Sequence, residues 1–318
     1  MRILVTGGAG FIGSHYVRSL LAGAYPGFEG ARVTVVDSLT YAGNPANLPL
    51  DDPRLELVKG DICDQPLLEE VFPGHDAVLH FAAESHVDRS LDGPAGFVRT
   101  NVAGTQCVLD AALRCGVPRV VHVSTDEVYG SITEGAWTEE SPLLPNSPYS
   151  ASKAGSDLIA RAYWRTHGLD VSITRCSNNY GPHQHVEKLI PRFVTNLLDG
   201  QPVPLYGDGG NVREWLHVDD HCRALHLVLT KAARGRSTTS AAATTPPTAR
   251  SPSSCSNCAA PTGTWSGRSP TARATTCGTR STTARSASSS ATRRGWPSSG
   301  VWPTWSPGTG RTAAGGSR

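Results

Sequence analysis

The chain has 318 residues, enough to bury a sizeable core, and a formal net charge of only +2. That small sum hides a division: residues 1–230 hold all 27 acidic residues and 17 of the 29 Lys and Arg, a net of −10, whereas the last 88 residues hold 12 basic residues and no acidic one. No stretch approaches the roughly 18 consecutive apolar residues of a transmembrane helix, and the first apolar run is too short to read as a secretion signal.

The eight cysteines are scattered, five of them singly before position 231, which suits reduced thiols and predicts a cytoplasmic location. Cys255 and Cys258 have the spacing of half a zinc site, but only Cys277 and no His accompany them, so no metal is expected.

In chain order, Ile3–Thr6, Arg32–Asp37, Ala77–Phe81, Val120–Ser124 and Val171–Arg175 read as strands, rich in Val and Ile and nearly continuous in apolar character. Ser14–Leu21, Asn101–Cys115 and Tyr149–Thr166 between them have helical spacing. The alternation predicts an α/β fold, a Rossmann-like doubly wound parallel sheet over residues 1–175. Residues 176–230 are still globular in character, with Trp215–Asp219 as a strand and His221–Leu229 as a helix, and read as part of a smaller substrate-binding region. From 231 to 318 there is no Ile, Leu, Phe, Tyr, Met or His and one Val, so that basic tail is expected to be disordered.

Between the first strand and the first helix lies Thr6-Gly7-Gly8-Ala9-Gly10-Phe11-Ile12-Gly13. Glycines here let the backbone turn tightly and approach a pyrophosphate, which the helix N-terminus attracts with its amides and dipole. Asp37 ends the second strand, where a carboxylate accepts hydrogen bonds from an adenosine ribose and repels a 2′-phosphate; this favours NAD over NADP. Asp61 and Ile62, between the strands Arg32–Asp37 and Ala77–Phe81, are placed to border an adenine.

Ser124-Thr125-Asp126-Glu127 puts hydroxyls and two carboxylates at the C-terminal end of a strand, where parallel α/β folds place their chemistry. Paired carboxylates suit a reaction that needs one acid and one base, as elimination of water does. Tyr149 and Lys153, four apart on one helix face, bring an ammonium near a phenol. The positive charge is expected to lower the phenol pKa and make Tyr149 a base at neutral pH.

Gly7–Gly13, Tyr149 with Lys153, and Asn101-Val102-Ala103-Gly104-Thr105 are similar to the extended short-chain dehydrogenases. Ser85-His86-Val87-Asp88-Arg89-Ser90, Thr125-Asp126-Glu127 and Asn178-Asn179-Tyr180-Gly181-Pro182 narrow the resemblance to the nucleotide-diphosphate hexose 4,6-dehydratases. Glu187–Pro191, Pro204–Gly209 and Asn211–Trp215 continue it through residue 230. The branch acting on dTDP-glucose, of the type found in deoxysugar and antibiotic pathways, is the one it resembles most.

The resemblance implies NAD as cofactor, held by Gly7, Gly10, Phe11, Ile12, Gly13, Asp37, Asp61, Ile62, Ala82, Asn101, Ser124, Tyr149 and Lys153. It implies a nucleotide-sugar substrate held by Ser85, His86, Asn178, Lys188, Leu189, Pro204, Tyr206 and Arg213. In such enzymes Tyr149, helped by Thr125 and Lys153, would take the C4 hydroxyl proton while hydride passes from C4 to NAD. Glu127 would then take the C5 proton as Asp126 protonates the departing C6 hydroxyl, and hydride would return to C6. A homodimer joined through Asn101–Cys115 and Tyr149–Thr166 is implied as well. Two other readings stay open: a nucleotide-sugar 4-epimerase or decarboxylase, which shares the glycine loop and the Tyr/Lys pair, and a non-catalytic NAD-binding remnant.

The tail does not continue the resemblance, which makes the substrate-binding region incomplete. Regrouping the codons of Thr238–Thr244 one base earlier permits Tyr-His-Ile-Gly-Gly-Gly-Asn, much like the family's next strand and turn. The same shift yields further family-like runs across Pro270–Ser281 and Gly308–Ser317. A single-base frameshift between about Leu229 and Thr238 accounts for all three in order, and the basic composition becomes a by-product of GC-rich codons. Neither nucleic acid nor a membrane is therefore expected as a partner.

Overall fold

The computed structural model describes residues 1–132, 135–205 and 212–232, together with the backbone of Ser237–Ser240. Its strands are β1 Arg2–Thr6, β2 Arg32–Asp37, β3 Leu55–Lys59, β4 Ala77–His80, β5 Arg119–Thr125, β6 Asp170–Cys176, β7 Asn178–Tyr180, β8 Trp215–His217 and β9 Ser237–Ser240. Seven of them form one sheet in the order β3-β2-β1-β4-β5-β6-β9, and every pairing is parallel. The small pair β7-β8 is also parallel. The order runs one way from β1 to β3 and the other way from β4 onward, so the sheet is doubly wound and opens a crevice beyond the strand ends between β1 and β4.

Successive residues of a strand face opposite sides, and the two cores follow from that. Ile3 and Val5 pack with Tyr16, Val17 and Leu20 of α1 (Phe11–Leu21) on one face. Leu4 packs on the other with Leu68 of α2 (Gln65–Val71) and with Val108 and Leu109 from further along the chain. Beyond α2 come two short helices, α3 Val87–Asp92 and α4 Pro94–Phe97, then α5 Thr105–Arg114. They are followed by α6 Pro148–His167, α7 Leu189–Leu198 and α8 Val218–Lys231, which joins α1 on the first face. Among the described residues no helix is long and apolar enough to cross a membrane.

The helix carrying Tyr149 and Lys153 is fixed at both ends. Ser147 caps it, its hydroxyl accepting from the Ser150 N–H at 3.1 Å, Pro148 opens it, and Gly168 closes it at φ 70°.

Three sequence expectations change. The segment expected as one helix from Asn101 begins as a π-helical stretch, Val98–Gly104, and becomes α-helical only at Thr105. Gly104 lies against Ile62, where an added Cβ would come within 2.6 Å of Cδ1, so the chain passes there without a side chain. The strand expected to run to Asp219 stops at His217, whose Nδ1 accepts from the Asp219 N–H at 3.3 Å and starts α8. Finally, Ser237–Ser240, within the segment expected to be disordered, pair with Ile173–Cys176 as β9. Main-chain bonding along a strand edge needs no apolar side chain, which is why composition misses it. The remaining expectations for the tail, its frame-shifted segments and its three cysteines included, lie outside the described residues.

Candidate active site

A cleft of about 1110 Å³ lies beyond the C-terminal ends of the central strands. Its first wall is the glycine loop. Gly7 has φ 69°, and a Cβ on it would lie 2.5 Å from the Ala82 amide nitrogen, so the loops after β1 and β4 touch backbone to backbone. A Cβ on Gly13 would lie 2.4 Å from the Gly7 carbonyl oxygen. Gly10 precedes α1 without any side-chain cap, which leaves the N-terminal amides of the helix to a ligand. Phe11, Ile12, Asp61, Ile62, Ala82 and Ser124 line the same cleft.

Asp37 lines it too, and has a structural duty that its position in the sequence did not show. One carboxylate oxygen accepts from the Ala9 N–H at 2.9 Å, the other from the Leu39 N–H at 2.8 Å. It therefore braces the glycine loop while facing the space where a ribose would lie.

Asn101 is not on the cleft wall. It is 1% exposed, accepts from the Glu84 N–H at 2.8 Å, and donates to the Glu84 carbonyl at 3.0 Å and the Ser152 hydroxyl at 2.8 Å. Its place is behind the wall, tying the loop after β4 to α6.

The second wall carries the hydroxyls and carboxylates. Thr125 ends β5, with its hydroxyl donating to Asp126 at 3.3 Å and accepting from the Glu127 N–H at 3.2 Å. Burial, and then the neighbouring Glu127 charge, push Asp126 up to about 7, so this carboxyl is largely protonated just below neutrality. Glu127 is also raised by burial, but the Ser150 hydroxyl donates to it at 2.9 Å and the charges of Arg213 and Lys188 favour its anion. Two adjacent carboxyls thus stand in different electrostatic surroundings.

Tyr149 and Lys153 both line this wall, yet the expected lowering of the phenol does not occur. Burial, with the Glu127 charge, drives Tyr149 well above the usual value, opposed by a hydrogen bond with Thr125. Lys153 donates to the Val123 carbonyl at 2.8 Å, and burial lowers it to about 8. With the Lys153 ammonium hydrogen-bonded to a backbone carbonyl, the net effect of burial on the phenol is upward.

The third wall holds the residues expected to bind the substrate. Lys188 is half-buried, donates to the Ser85 carbonyl at 2.7 Å and is lowered by desolvation. Ser85, His86, Asn178, Leu189, Pro204 and Arg213 share the cleft with it, and Tyr206 lies outside the described residues. Asn178, on β7, donates to the Glu214 carbonyl at 3.2 Å through its N–H.

Several wall residues went unread in the sequence. Asn179 and Cys176 line the cleft; the Asn179 amide oxygen lies 2.8 Å from Nδ1 of the fully buried His221. Burial raises the Cys176 thiol to about 12 and keeps it unreactive. The place of Asn179 beside Asn178 in the quoted motif was the available signal, and Cys176 lies two residues before that motif. Among the described residues no group of three His, Cys, Asp or Glu is placed to hold a metal ion.

The profile of the NAD dependent epimerase/dehydratase family matches residues 3–241. A dTDP-glucose 4,6-dehydratase of Streptomyces niveus is 64% identical over 231 residues, 72% of this chain and 69% of that protein. The crystal structure of DesIV, a dTDP-glucose 4,6-dehydratase from Streptomyces venezuelae with NAD and TYD bound, is similar at 67% identity and TM-score 0.74, covering 75% of each chain. A UDP-glucose 4-epimerase of Thermus thermophilus in complex with NAD is similar at 34% identity and TM-score 0.68, over 76% of this chain and 78% of that one.

Proposed function

This chain belongs to the NAD dependent epimerase/dehydratase family, and we propose that it is a dTDP-glucose 4,6-dehydratase, converting dTDP-glucose to dTDP-4-keto-6-deoxyglucose. The observation that carries the reading is the pair of buried Asp126 and half-buried Glu127, adjacent and differently poised beside Tyr149 in the cleft. A 4-epimerase has no elimination to perform and does not need that pair.

The cleft fits NAD: the glycine cradle admits a close backbone approach, the start of α1 offers uncapped amides, and Asp37 faces the ribose position. The chemistry NAD supplies when bound is a reversible store for the hydride of the sugar. Tyr149, once its own proton has left to solvent, would take the C4 hydroxyl proton as its phenolate while C4 is oxidised, with the Thr125 hydroxyl beside it. The ketone acidifies the C5 hydrogen, which Glu127 takes as a base. Asp126 gives its proton to the C6 hydroxyl, which leaves as water while the C5–C6 double bond forms. Lys188 and Arg213 suit the two negative charges of the nucleotide diphosphate. Asn101 supports the cofactor half from behind.

The test is to incubate the chain with NAD and dTDP-glucose and follow formation of a 4-keto sugar. Product containing a 6-deoxy carbon supports the dehydratase; a galactose epimer in its place overturns it. One observation favours a second reading. Similarity ends near residue 241 and spans about 70% of the relatives' length, so a chain that binds NAD without turnover would be a non-catalytic remnant. We further infer a cytoplasmic homodimer serving deoxysugar and antibiotic pathways, its interface formed by α5 and α6; light scattering checks the dimer.

A further inference from the structure

Side chains that neither the glycine loop nor the catalytic wall uses tie three loops together at the cleft's rim. Tyr41 stands in the loop after β2 close to Glu84, whose backbone Asn101 holds. Arg89, in α3, lays its guanidinium carbon 4.0 Å from the centre of the Tyr41 ring. The same guanidinium donates to Glu187 at 3.0 Å, in the loop before α7, 98 residues further along the chain. The other Glu187 oxygen lies 3.6 Å from His185, and His185 meets the Tyr41 ring edge-on at 5.7 Å. Tyr41, Glu84, Arg89, His185 and Glu187 line the cleft, and the Arg89 side chain is 50% exposed, which places the link at the rim.

The two loops so joined serve different ligands. The loop after β2 continues from Asp37, on the cofactor side. The loop before α7 leads into Lys188, on the sugar side. Each carries a residue other than glycine in the left-handed region, Leu39 at φ 53° and His183 at φ 68°. Such conformations persist where surrounding contacts hold them.

We propose that Tyr41, Arg89 and Glu187 form a strap of positioning residues across the cleft, which holds the loop after β2 over bound NAD and couples cofactor retention to the nucleotide-sugar half. An exposed ion pair and an exposed cation–π contact are each weak, so the strap yields and recloses instead of locking. The proposal rests on the cofactor and substrate halves being those of the dehydratase reading.

The test measures release of radiolabelled NAD from the full chain, chased with excess unlabelled NAD, with and without dTDP. It compares wild type with Arg89→Met, Glu187→Gln, Tyr41→Leu and the double variant Arg89→Met/Glu187→Gln. Each single variant is expected to release NAD about 5- to 10-fold faster, and the double variant no faster than the singles, because both break one link. Added dTDP should slow release from wild type and not from the variants. Unchanged release rates, or effects that multiply in the double variant, would overturn the strap. Glu187→Gln keeps the side chain's shape and decides the matter should Arg89→Met unfold early. A wild-type chain that holds NAD but leaves dTDP-glucose unchanged would count against the dehydratase reading, and the release comparison would still decide the strap.

Discussion

Lys153 gives its ammonium to the Val123 carbonyl, 2.8 Å away, and not to Tyr149 one helical turn before it. Burial therefore raises the phenol, so Tyr149 can take the C4 proton only after its own proton has left.

A difference titration makes that concrete. The ultraviolet spectrum of wild type minus Tyr149→Phe should show no tyrosinate below about pH 10, since burial holds the phenol well above its usual value. Turnover of dTDP-glucose by Tyr149→Phe should fall by about 1,000-fold, with NAD binding retained. A tyrosinate signal near neutrality would restore the lowered-phenol picture.

Asp126 has a pH signature in stability. Its folded value is raised to about 7, so the fold prefers the protonated carboxyl. The stabilising contribution is complete below the ordinary value of 3.8 and is lost as pH rises through 7. Asp126→Asn stays neutral throughout and escapes that loss. Its unfolding free energy should match wild type near about pH 4 and exceed it above about pH 7, by on the order of 2 kcal/mol. Its turnover should drop by about 100-fold or more. A variant less stable than wild type at high pH would show that the carboxylate is satisfied.

Much of this was open to reading and some was not, for a physical reason. Gly7, Gly13, Asp37, Tyr149 and the Asp126–Glu127 pair belong to local patterns, and a local pattern is visible along the chain. The partners of Lys153 and Asn101 are set by contacts between distant segments: Val123 lies 30 residues from Lys153, and Glu84 lies 17 from Asn101. The Arg89–Glu187 pair spans 98 residues, and nothing near either residue announces the other. Ser237–Ser240 escaped because their pairing is main-chain bonding, to which composition is blind.

Lys188 offers a separable test of the sugar side. Lys188→Met removes a half-buried cation of the cleft that also holds the Ser85 carbonyl at 2.7 Å. The KM for dTDP-glucose should rise by about 10-fold or more, while the dissociation constant for NAD moves less than about 2-fold. Equal losses for both ligands would mean that Lys188 supports the whole cleft.

Re-reading the coding DNA across codons 225–245 checks the frame. A missed or added base is expected there, and the corrected frame should encode the strand and glycine turn permitted by regrouping Thr238–Thr244. An unchanged frame would mean a chain that retains the NAD loop and loses most sugar affinity.

Strand β9 bears on how the molecule behaves among its copies. Cys176 closes β6 inside the cleft, and its backbone is paired on the outer side to Ser240. Four residues of serine and threonine thus cover a row of amides and carbonyls that would otherwise invite another chain to add a strand. A chain ending before Ser237 would bare that row beside its own catalytic wall. Self-association would then begin at the edge of the active site.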